Sequence, residues 1–143
     1  MQMKFVKVTL DNNIDLLEKF VAKVKFNIKT FRYFNSRPIS AIKSHLITLL
    51  LIDNEKPVAY GHLDSEQGTI WLGLCVLPEY QGIGYGTVMM KALFKEAKKL
   101  NLSSIYLTVD KDNLGAIRLY EKAGFFKIEK EASHYKLKWD STR

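Results

Sequence analysis

The sequence lacks the features that would indicate an extracellular or membrane-spanning protein. Cys75 is the one cysteine among 143 residues, so no internal disulfide framework is possible and a reducing, intracellular setting is expected. The longest aliphatic run, LITLLLI at 46–52, is much shorter than the ~20 residues of a membrane-spanning helix. The first ten residues contain no apolar core of a signal peptide. We therefore expect a single cytoplasmic domain over residues 1–143, with no membrane partner.

Metal-binding patterns are also missing. The three histidines, His45, His62 and His134, are scattered along the chain, and only one cysteine accompanies them. Their spacing is not typical of a zinc or other metal site, so no metal is expected. Cys75 has no histidine or basic residue beside it in sequence, which favours a small core residue over a nucleophile.

Acidic residues are absent from residues 19–52, although this segment carries seven lysines and arginines. The net charge of +7 favours an anionic partner only weakly, and we do not expect nucleic acid to be that partner. Aromatic and basic residues interleave in the segment: Lys25, Phe26, Lys29, Phe31, Arg32, Tyr33, Phe34 and Arg37. Two explanations stay open, a site for a flat or phosphorylated ligand and a solvated basic surface that caps the core.

The pattern of apolar residues predicts a mixed α/β fold around a largely antiparallel sheet. Strands are expected at 3–10, 46–52, 57–64, 69–77, 103–109, 125–130 and 134–139. Helices are expected at 14–24, 87–100 and 113–123, with a short one after Pro38. The turns DNEK and SEQG are suited to hairpins. Gly124 is suited to end the third helix.

A glycine turn is the most specific local feature. Within LPEYQGIGYGTVMM at 77–90, Gly82, Gly84 and Gly86 alternate directly before an amphipathic helix. The spacing fits neither the G-x-G-x-x-G dinucleotide fingerprint nor a P-loop. Glycines nevertheless let successive N–H groups turn toward one point, and the following helix adds the positive end of its dipole. The turn therefore favours a phosphate site over a tight connection without a ligand.

Two sequence blocks resemble the GNAT N-acetyltransferase superfamily. QGIGYG at 81–86 is similar to the family's Q/R-x-x-G-x-G/A acyl-CoA signature, and NLGAIRLYEKAGF at 113–125 is similar to its second block. The resemblance covers roughly residues 69–128. It implies a GNAT-like mixed α+β fold, in which a mostly antiparallel sheet of about seven strands is flanked by helices. That sheet would be splayed between the strand at 69–77 and the strand at 104–110.

The resemblance also implies acetyl-CoA as co-substrate and a set of residues that bind it. The main chain of the glycine turn would hold the pyrophosphate, and the edge of the preceding strand would bind the pantetheine and polarise the thioester carbonyl. Asn113 matches a position that bonds to coenzyme A, although it is also suited to cap its helix. The implied residues are Leu74, Val76, Gln81, Gly82, Ile83, Gly84, Tyr85, Gly86, Thr87 and Asn113.

The catalytic residues are less completely implied. Tyr120 matches the family tyrosine that protonates the departing thiolate, and its alternative is a core tyrosine on an apolar helix face. The glutamate that serves some members as general base falls at Ile70, which cannot accept a proton. His62 is the best local substitute because it titrates near neutral pH, although a structural histidine is an equal alternative. Glu79 and His45 are more distant choices.

The expected acceptor is a small-molecule primary amine that attacks acetyl-CoA directly in a ternary complex. In the family the segment after the first helix walls the acceptor site, which implies Phe31, Arg32, Tyr33 and Arg37 as substrate-binding residues. Because this segment lacks the acids that a polyamine would need, we expect an anionic acceptor such as a nucleotide-linked amino sugar. A protein lysine or N-terminal acetyltransferase and a non-catalytic acyl-CoA sensor are the alternatives. Both a monomer and a homodimer are compatible with the sequence.

Overall fold

The computed structural model describes the main chain of residues 3–27 and 31–143, and the side chains of these residues except 25–27. Its strands are β1 (Met3–Lys7), β2 (His45–Asp53), β3 (Lys56–Glu66), β4 (Thr69–Val76), β5 (Ser104–Asp110), β6 (Phe126–Lys130) and β7 (His134–Asp140). Its α-helices are α1 (Ile14–Asn27), α2 (Tyr85–Lys99) and α3 (Leu114–Lys122). The strands form one sheet in the order β1-β2-β3-β4-β5-β7-β6. The predicted fold class is confirmed.

Two tight hairpins join β2 to β3 and β3 to β4. Asn54 and Glu55 form the first loop, with φ of 49° and 71°, and Gln67 and Gly68 form the second, with φ of 52° and 83°. Positive φ at both central residues is the signature of the type I′ turn, whose twist matches that of the strands it joins. The hairpins predicted at DNEK and SEQG are therefore confirmed.

Strand β2 is buried on both faces, which explains its continuous apolar run. Leu49 and Leu51 belong to a core that also contains residues of α2 and α3, whereas Leu50 and Ile52 belong to a second core with residues of α1. This alternation follows from the two-residue period of a strand. None of the described helices is both long enough and apolar enough to cross a bilayer.

The sheet opens between β4 and β5, its one parallel pair. Both strands are fully described, and Trp71 and Tyr106 are the one aligned residue pair between them. Helix α2 makes the connection, as expected for a parallel crossover. The second half of β4 therefore has a partner on the β3 side only, and the predicted splay is present.

Most predicted boundaries differ from the structure by one or two residues, and three predictions need correction. Strand β1 ends at Lys7 rather than at residue 10, since Thr9 pairs with Asn12 in a turn. Helix α1 continues to Asn27 rather than ending near Val24, since no proline or glycine interrupts it. The short helix after Pro38 is a 3-10 helix over Ile39–Ser44. This segment leads into β2 and lies over the same face of the sheet as α1.

Candidate acyl-CoA and acceptor site

The glycine turn contains two residues in the left-handed main-chain conformation. Gly82 and Gly84 have φ of 78° and 99°, and a Cβ at either position would meet no atom within 4 Å. Gly84 is the N-cap of α2, whose first turn contains no acidic residue. Gly86 has a different reason to be glycine, since a Cβ there would lie 3.1 Å from Cδ2 of Leu119 on α3. The positive end of α2 therefore points into open space.

On the edge of β4 that leads into this turn, two main-chain N–H groups have no strand partner among the described residues. The N–H of Leu77 donates to the carbonyl of Val58 in β3 at 3.0 Å. Because successive N–H groups in a strand point to opposite edges, those of Leu74 and Val76 point away from β3. The side chain of Gln81 donates to the carbonyl of Val76 at 2.9 Å, which fixes the turn against the strand.

A cleft of about 990 Å³ lies where β4 and β5 separate. Six of the ten predicted cofactor residues line it: Leu74, Val76, Gln81, Gly82, Gly86 and Asn113. Ile83, Gly84, Tyr85 and Thr87 do not line it. The Tyr85 hydroxyl instead donates to Asp53 at 2.9 Å, and its ring stacks on Tyr80. For Tyr85, therefore, only the main chain is positioned to serve a ligand at the helix start.

Helix α3 brings two predicted residues to the opposite wall of the cleft. Oδ1 of Asn113 accepts from the N–H of Ala116 at 3.3 Å, which is the expected N-cap. The Tyr120 ring is buried against Phe125. Burial raises the pKa of the Tyr120 phenol, with a further contribution from Cys75, so the hydroxyl stays protonated at neutral pH.

The hydroxyl of Tyr120 is open to the cleft. Among the described residues, Oδ1 of Asp53 is the one fully buried side-chain nitrogen or oxygen that lacks a hydrogen-bond partner. The Tyr120 hydroxyl makes no hydrogen bond to any described residue. Tyr120 also lines the cleft. Its hydroxyl is therefore accessible and able to donate to a ligand.

His62 lies in the cleft on the opposite face of the sheet from α3. Its side chain is 2% exposed, and its Nδ1 lies 2.6 Å from the Tyr60 hydroxyl. Burial lowers the pKa of His62 well below its usual value, and His45 and Arg37 lower it further. The imidazole is therefore neutral at pH 7. Glu79 and Ile70, the other positions considered for a base, do not line the cleft.

A chain of hydrogen bonds holds the segment 31–44 against the sheet. Nδ1 of His45 lies 2.7 Å from the Thr48 hydroxyl, and its Nε2 lies 2.7 Å from the Tyr33 hydroxyl. The carboxylate of Asp64 accepts from Tyr33 at 3.1 Å and from Ser44 at 2.8 Å. Burial lowers the pKa of His45 to about 4. Sequence reasoning missed this network because its members come from β2, β3 and the irregular segment.

The four predicted substrate residues, Phe31, Arg32, Tyr33 and Arg37, all line the cleft. Both arginines already contact other groups of the chain. Arg32 forms a bidentate ion pair with Asp110 at 2.8 and 3.1 Å. The Arg37 guanidinium lies 4.3 Å from the centre of the Tyr33 ring and donates to the Tyr33 carbonyl. Phe31 packs against the buried Tyr60. Lys29, and the side chains of Lys25 and Phe26, lie outside the described residues.

The segment 19–52 contains no acid, but the cleft that it helps to line does contain acids. Four carboxylates line the cleft, at Asp64, Glu66, Asp110 and Asp112. They come from β3, β5 and the loop before α3, so the local sequence of residues 19–52 did not reveal them. The lining of the cleft therefore contains four carboxylates and two arginines.

Cys75 behaves as the sequence predicts for a core residue. It is 5% exposed, and burial raises the pKa of its thiol to about 12. The thiolate needed for nucleophilic attack is therefore not populated at neutral pH. In the described portion of the chain, no three His, Cys, Asp or Glu side chains are grouped to hold a metal ion.

Parts of the sequence are similar to known acetyltransferases. The spermine/spermidine N(1)-acetyltransferase of Bacillus subtilis is 41% identical over 64 residues, which are 43% of this chain and 42% of that protein. The [ribosomal protein bS18]-alanine N-acetyltransferase of Haemophilus influenzae is 28% identical over 91 residues, 62% of this chain and 61% of that protein. The matched regions thus span less than two thirds of these relatives.

The fold is shared with a structure solved in complex with coenzyme A. The PaiA N-acetyltransferase of Thermoplasma acidophilum, in complex with coenzyme A, superposes with a TM-score of 0.75 and 16% identity, covering 98% of this chain and 99% of that one. At this identity the likeness establishes the fold alone. Residues 13–125, most of the chain, match the acetyltransferase (GNAT) family as a whole. The chain belongs to the GNAT family of acetyltransferases.

Proposed function

We propose that this protein transfers an acetyl group from acetyl-CoA to the primary amine of a small molecule, by direct attack in a ternary complex. One observation carries the proposal. The unpaired edge of β4 runs directly into the glycine turn at the start of α2, and the Tyr120 hydroxyl opens into the same cleft. An extended thioester whose pyrophosphate ends at a helix N-terminus fits that arrangement.

The residues of the cleft supply two steps of the reaction. The neutral amine attacks the thioester carbon, and the N–H groups of Leu74 and Val76 are suited to bind the pantetheine and the oxyanion that forms. The C–S bond then breaks, and Tyr120 donates its proton to the departing thiolate. The nitrogen loses a proton to complete the amide. The sequence predicts His62 as the acceptor of that proton, and the tautomer of its imidazole decides whether it can accept one.

Different residues of the cleft favour two different classes of acceptor. Arg37 lines the cleft and is suited to a phosphate or carboxylate, which favours the nucleotide-linked amino sugar. Asp110 is bound by Arg32, and Asp64 accepts from Tyr33 and Ser44. The other two cleft carboxylates, Glu66 and Asp112, favour a second class, a cationic polyamine, and the matched relative from B. subtilis acts on spermine and spermidine. Arg32 supports neither class, since Asp110 binds its guanidinium.

The test is release of free thiol from acetyl-CoA, with the product mass, across a panel of amines. The panel contains nucleotide-linked amino sugars, polyamines, aminoglycosides, amino acids and lysine peptides, and Tyr120→Phe is run in parallel. Turnover on a small amine that falls in the variant supports the proposal. Turnover on peptides alone would favour the protein acetyltransferase, and tight acetyl-CoA binding without turnover on any amine would favour the sensor.

A further inference from the structure

We infer that Tyr60 fixes His62 in the tautomer that carries its proton on Nε2, so that His62 serves the cleft as a hydrogen-bond donor and not as a base. The inference rests on the proposed function for its catalytic meaning. The tautomer itself follows from contacts within the chain, and it can be measured without any substrate.

The buried hydrogen bond between the Tyr60 hydroxyl and Nδ1 of His62 has one favourable direction. Tyr60 is 0% exposed, and Nδ1 of His62 is the one hydrogen-bond partner of its hydroxyl among the described residues. If Nδ1 carried the proton, it would donate to the Tyr60 oxygen, and the hydroxyl hydrogen would be left buried without an acceptor. A buried unsatisfied donor costs free energy, whereas donation from Tyr60 to Nδ1 leaves no such group. Tyr60 is therefore the donor.

The direction of that bond sets the role of the other ring nitrogen. A neutral imidazole whose Nδ1 accepts a hydrogen bond must carry its proton on Nε2. Nε2 of His62 makes no hydrogen bond to the described part of the chain, yet it is not among the fully buried unpaired atoms. Since His62 lines the cleft, its Nε2–H group reaches the cleft.

Packing prevents the ring from turning. The ring centres of Tyr33 and His45 each lie 4.4 Å from that of His62. Gly73 lies against the same imidazole, since a Cβ at Gly73 would be 2.6 Å from Nε2. The ring is held between neighbours and cannot exchange its two nitrogens without moving them.

The tautomer of the neighbouring His45 can be inferred in the same way, and His45 serves as a reference signal in the measurement below. The hydroxyl of Tyr33 has one proton, which it donates to the Asp64 carboxylate. Nε2 of His45, 2.7 Å from that hydroxyl oxygen, must therefore donate, and Nδ1 accepts from Thr48. Both histidines are thus expected to be neutral with the proton on Nε2.

The consequence for the reaction is a role in binding. An Nε2–H group donates to an oxygen of the bound substrates, such as a hydroxyl, carbonyl, carboxylate or phosphate. It cannot accept the proton of the attacking amine unless the bond to Tyr60 is reversed. The proton of the amine then leaves to water in the cleft. His62 touches substrate in this account, and Tyr60 is a positioning residue that acts through it.

The direct test is long-range ¹H–¹⁵N NMR of the ¹⁵N-labelled protein at pH 7 without ligand. With three histidines in the chain, His45→Gln and His134→Gln assign the signals. The expected spectrum shows His62 and His45 protonated on Nε2 alone, and Tyr60→Phe should shift only His62 toward a mixture. A proton on Nδ1 of His62, or on both its nitrogens, would overturn the inference whether or not acetyl transfer is ever detected.

Kinetics give a second test, on the acceptor that supports most turnover. Glutamine can donate through its amide N–H but cannot accept a proton, whereas leucine can do neither. We expect kcat/KM to fall about 10-fold or less in His62→Gln and about 100-fold in His62→Leu, which is the scale for loss of one hydrogen-bond donor in an active site. The acidic limb of the pH profile should keep its position in His62→Gln. Equal losses in the two variants, with the acidic limb gone, would overturn the donor role.

Discussion

The imidazole of His62 lies directly against Gly73 on the neighbouring strand. The two residues are paired across β3 and β4, and a Cβ added to Gly73 would lie 2.4 Å from Cε1 of the ring. No real Cβ tolerates that distance, so Gly73 is the residue that gives His62 its place in the cleft. Sequence reasoning did not single out Gly73, because nothing in its neighbourhood distinguishes it from an ordinary strand glycine.

Gly73→Ala should displace the imidazole and destabilise the protein. Overpacking a close contact of this kind costs about 1–3 kcal/mol, and we expect a loss of that size in urea unfolding together with a changed His62 signal in NMR. Gly115→Ala is the matched control. A Cβ at Gly115, the second residue of α3, meets no atom within 4 Å, so alanine there should not destabilise the protein. An unmoved His62 signal in Gly73→Ala would refute the contact.

Tyr120→Phe should lower kcat by about 100-fold and leave the affinity for acetyl-CoA nearly unchanged. The phenol ring is packed in the core, but its hydroxyl has no partner among the described residues, so the variant should fold with wild-type stability. Steady-state kinetics and calorimetric titration with acetyl-CoA measure the two quantities. A wild-type rate would remove Tyr120 as the acid.

Arg32 and Asp110 should act as a unit that tethers the segment 31–44 to the end of β5. Arg32→Ala, Asp110→Asn and the double variant should therefore raise the acceptor KM by similar factors. If Arg32→Ala alone abolished turnover and Asp110→Asn had no effect, Arg32 would instead bind the acceptor directly.

The same pair should contribute little to stability. The Arg32 side chain is 58% exposed, so the change in the free energy of unfolding should be below about 1 kcal/mol at pH 7. The hydrogen bond from Arg32 lowers the pKa of the Asp110 carboxyl below its usual value. The small contribution is therefore present above the unfolded pKa of ~3.9 and disappears as the pH falls through the lower folded value. Urea unfolding of Asp110→Asn at pH 7 and pH 2.5 checks both statements.

The buried histidines should make the protein acid-labile in a defined range. The pKa of His45 is about 4 when folded and ~6.5 when unfolded, so the unfolded chain binds more protons between these values. The free energy of unfolding should therefore fall as the pH decreases from ~6.5 to ~4 and be fully recovered above ~6.5. Urea unfolding at several pH values in this range should show that the free energy of unfolding depends less steeply on pH in His45→Gln than in wild type.

The half-buried His134 lies outside the network of His45 and His62, so His134→Gln is the control and should reproduce the wild-type dependence of the free energy of unfolding on pH. An identical dependence for His45→Gln and wild type would mean that His45 is not responsible for the acid lability.

Gly84→Ala should weaken acetyl-CoA binding through the main chain alone. At a φ of 99° an L side chain is strained, which costs roughly 1–2 kcal/mol, even though a Cβ there would clash with nothing. Gly84→Asn should lose less affinity, because asparagine tolerates positive φ better than alanine does. Calorimetric titration measures the order. Equal affinities for wild type and Gly84→Ala would show that the turn is not part of the cofactor site.

Local sequence signals predicted most of the fold and the glycine turn at the start of α2. The hairpin loops, the glycine turn and the cap at Asn113 each depend on residues within a few positions of one another. The acceptor half depends on contacts between distant segments. Arg32 and Asp110 are 78 positions apart, and Tyr33 and Asp64 are 31 apart. No composition or spacing in one segment reveals such partners, which is why the basic segment suggested a more positive site than the structure contains.

The two halves of the cleft are built from different parts of the chain. The half that we assign to acetyl-CoA consists mainly of peptide groups, at an unpaired strand edge, a glycine turn and a helix start, and most side-chain substitutions leave peptide groups in place. The acceptor half consists of side chains such as Tyr33, Arg37 and Glu66. Mutation can therefore change the preferred amine while the use of acetyl-CoA persists, so the acceptor half is the part to randomise when a new specificity is sought.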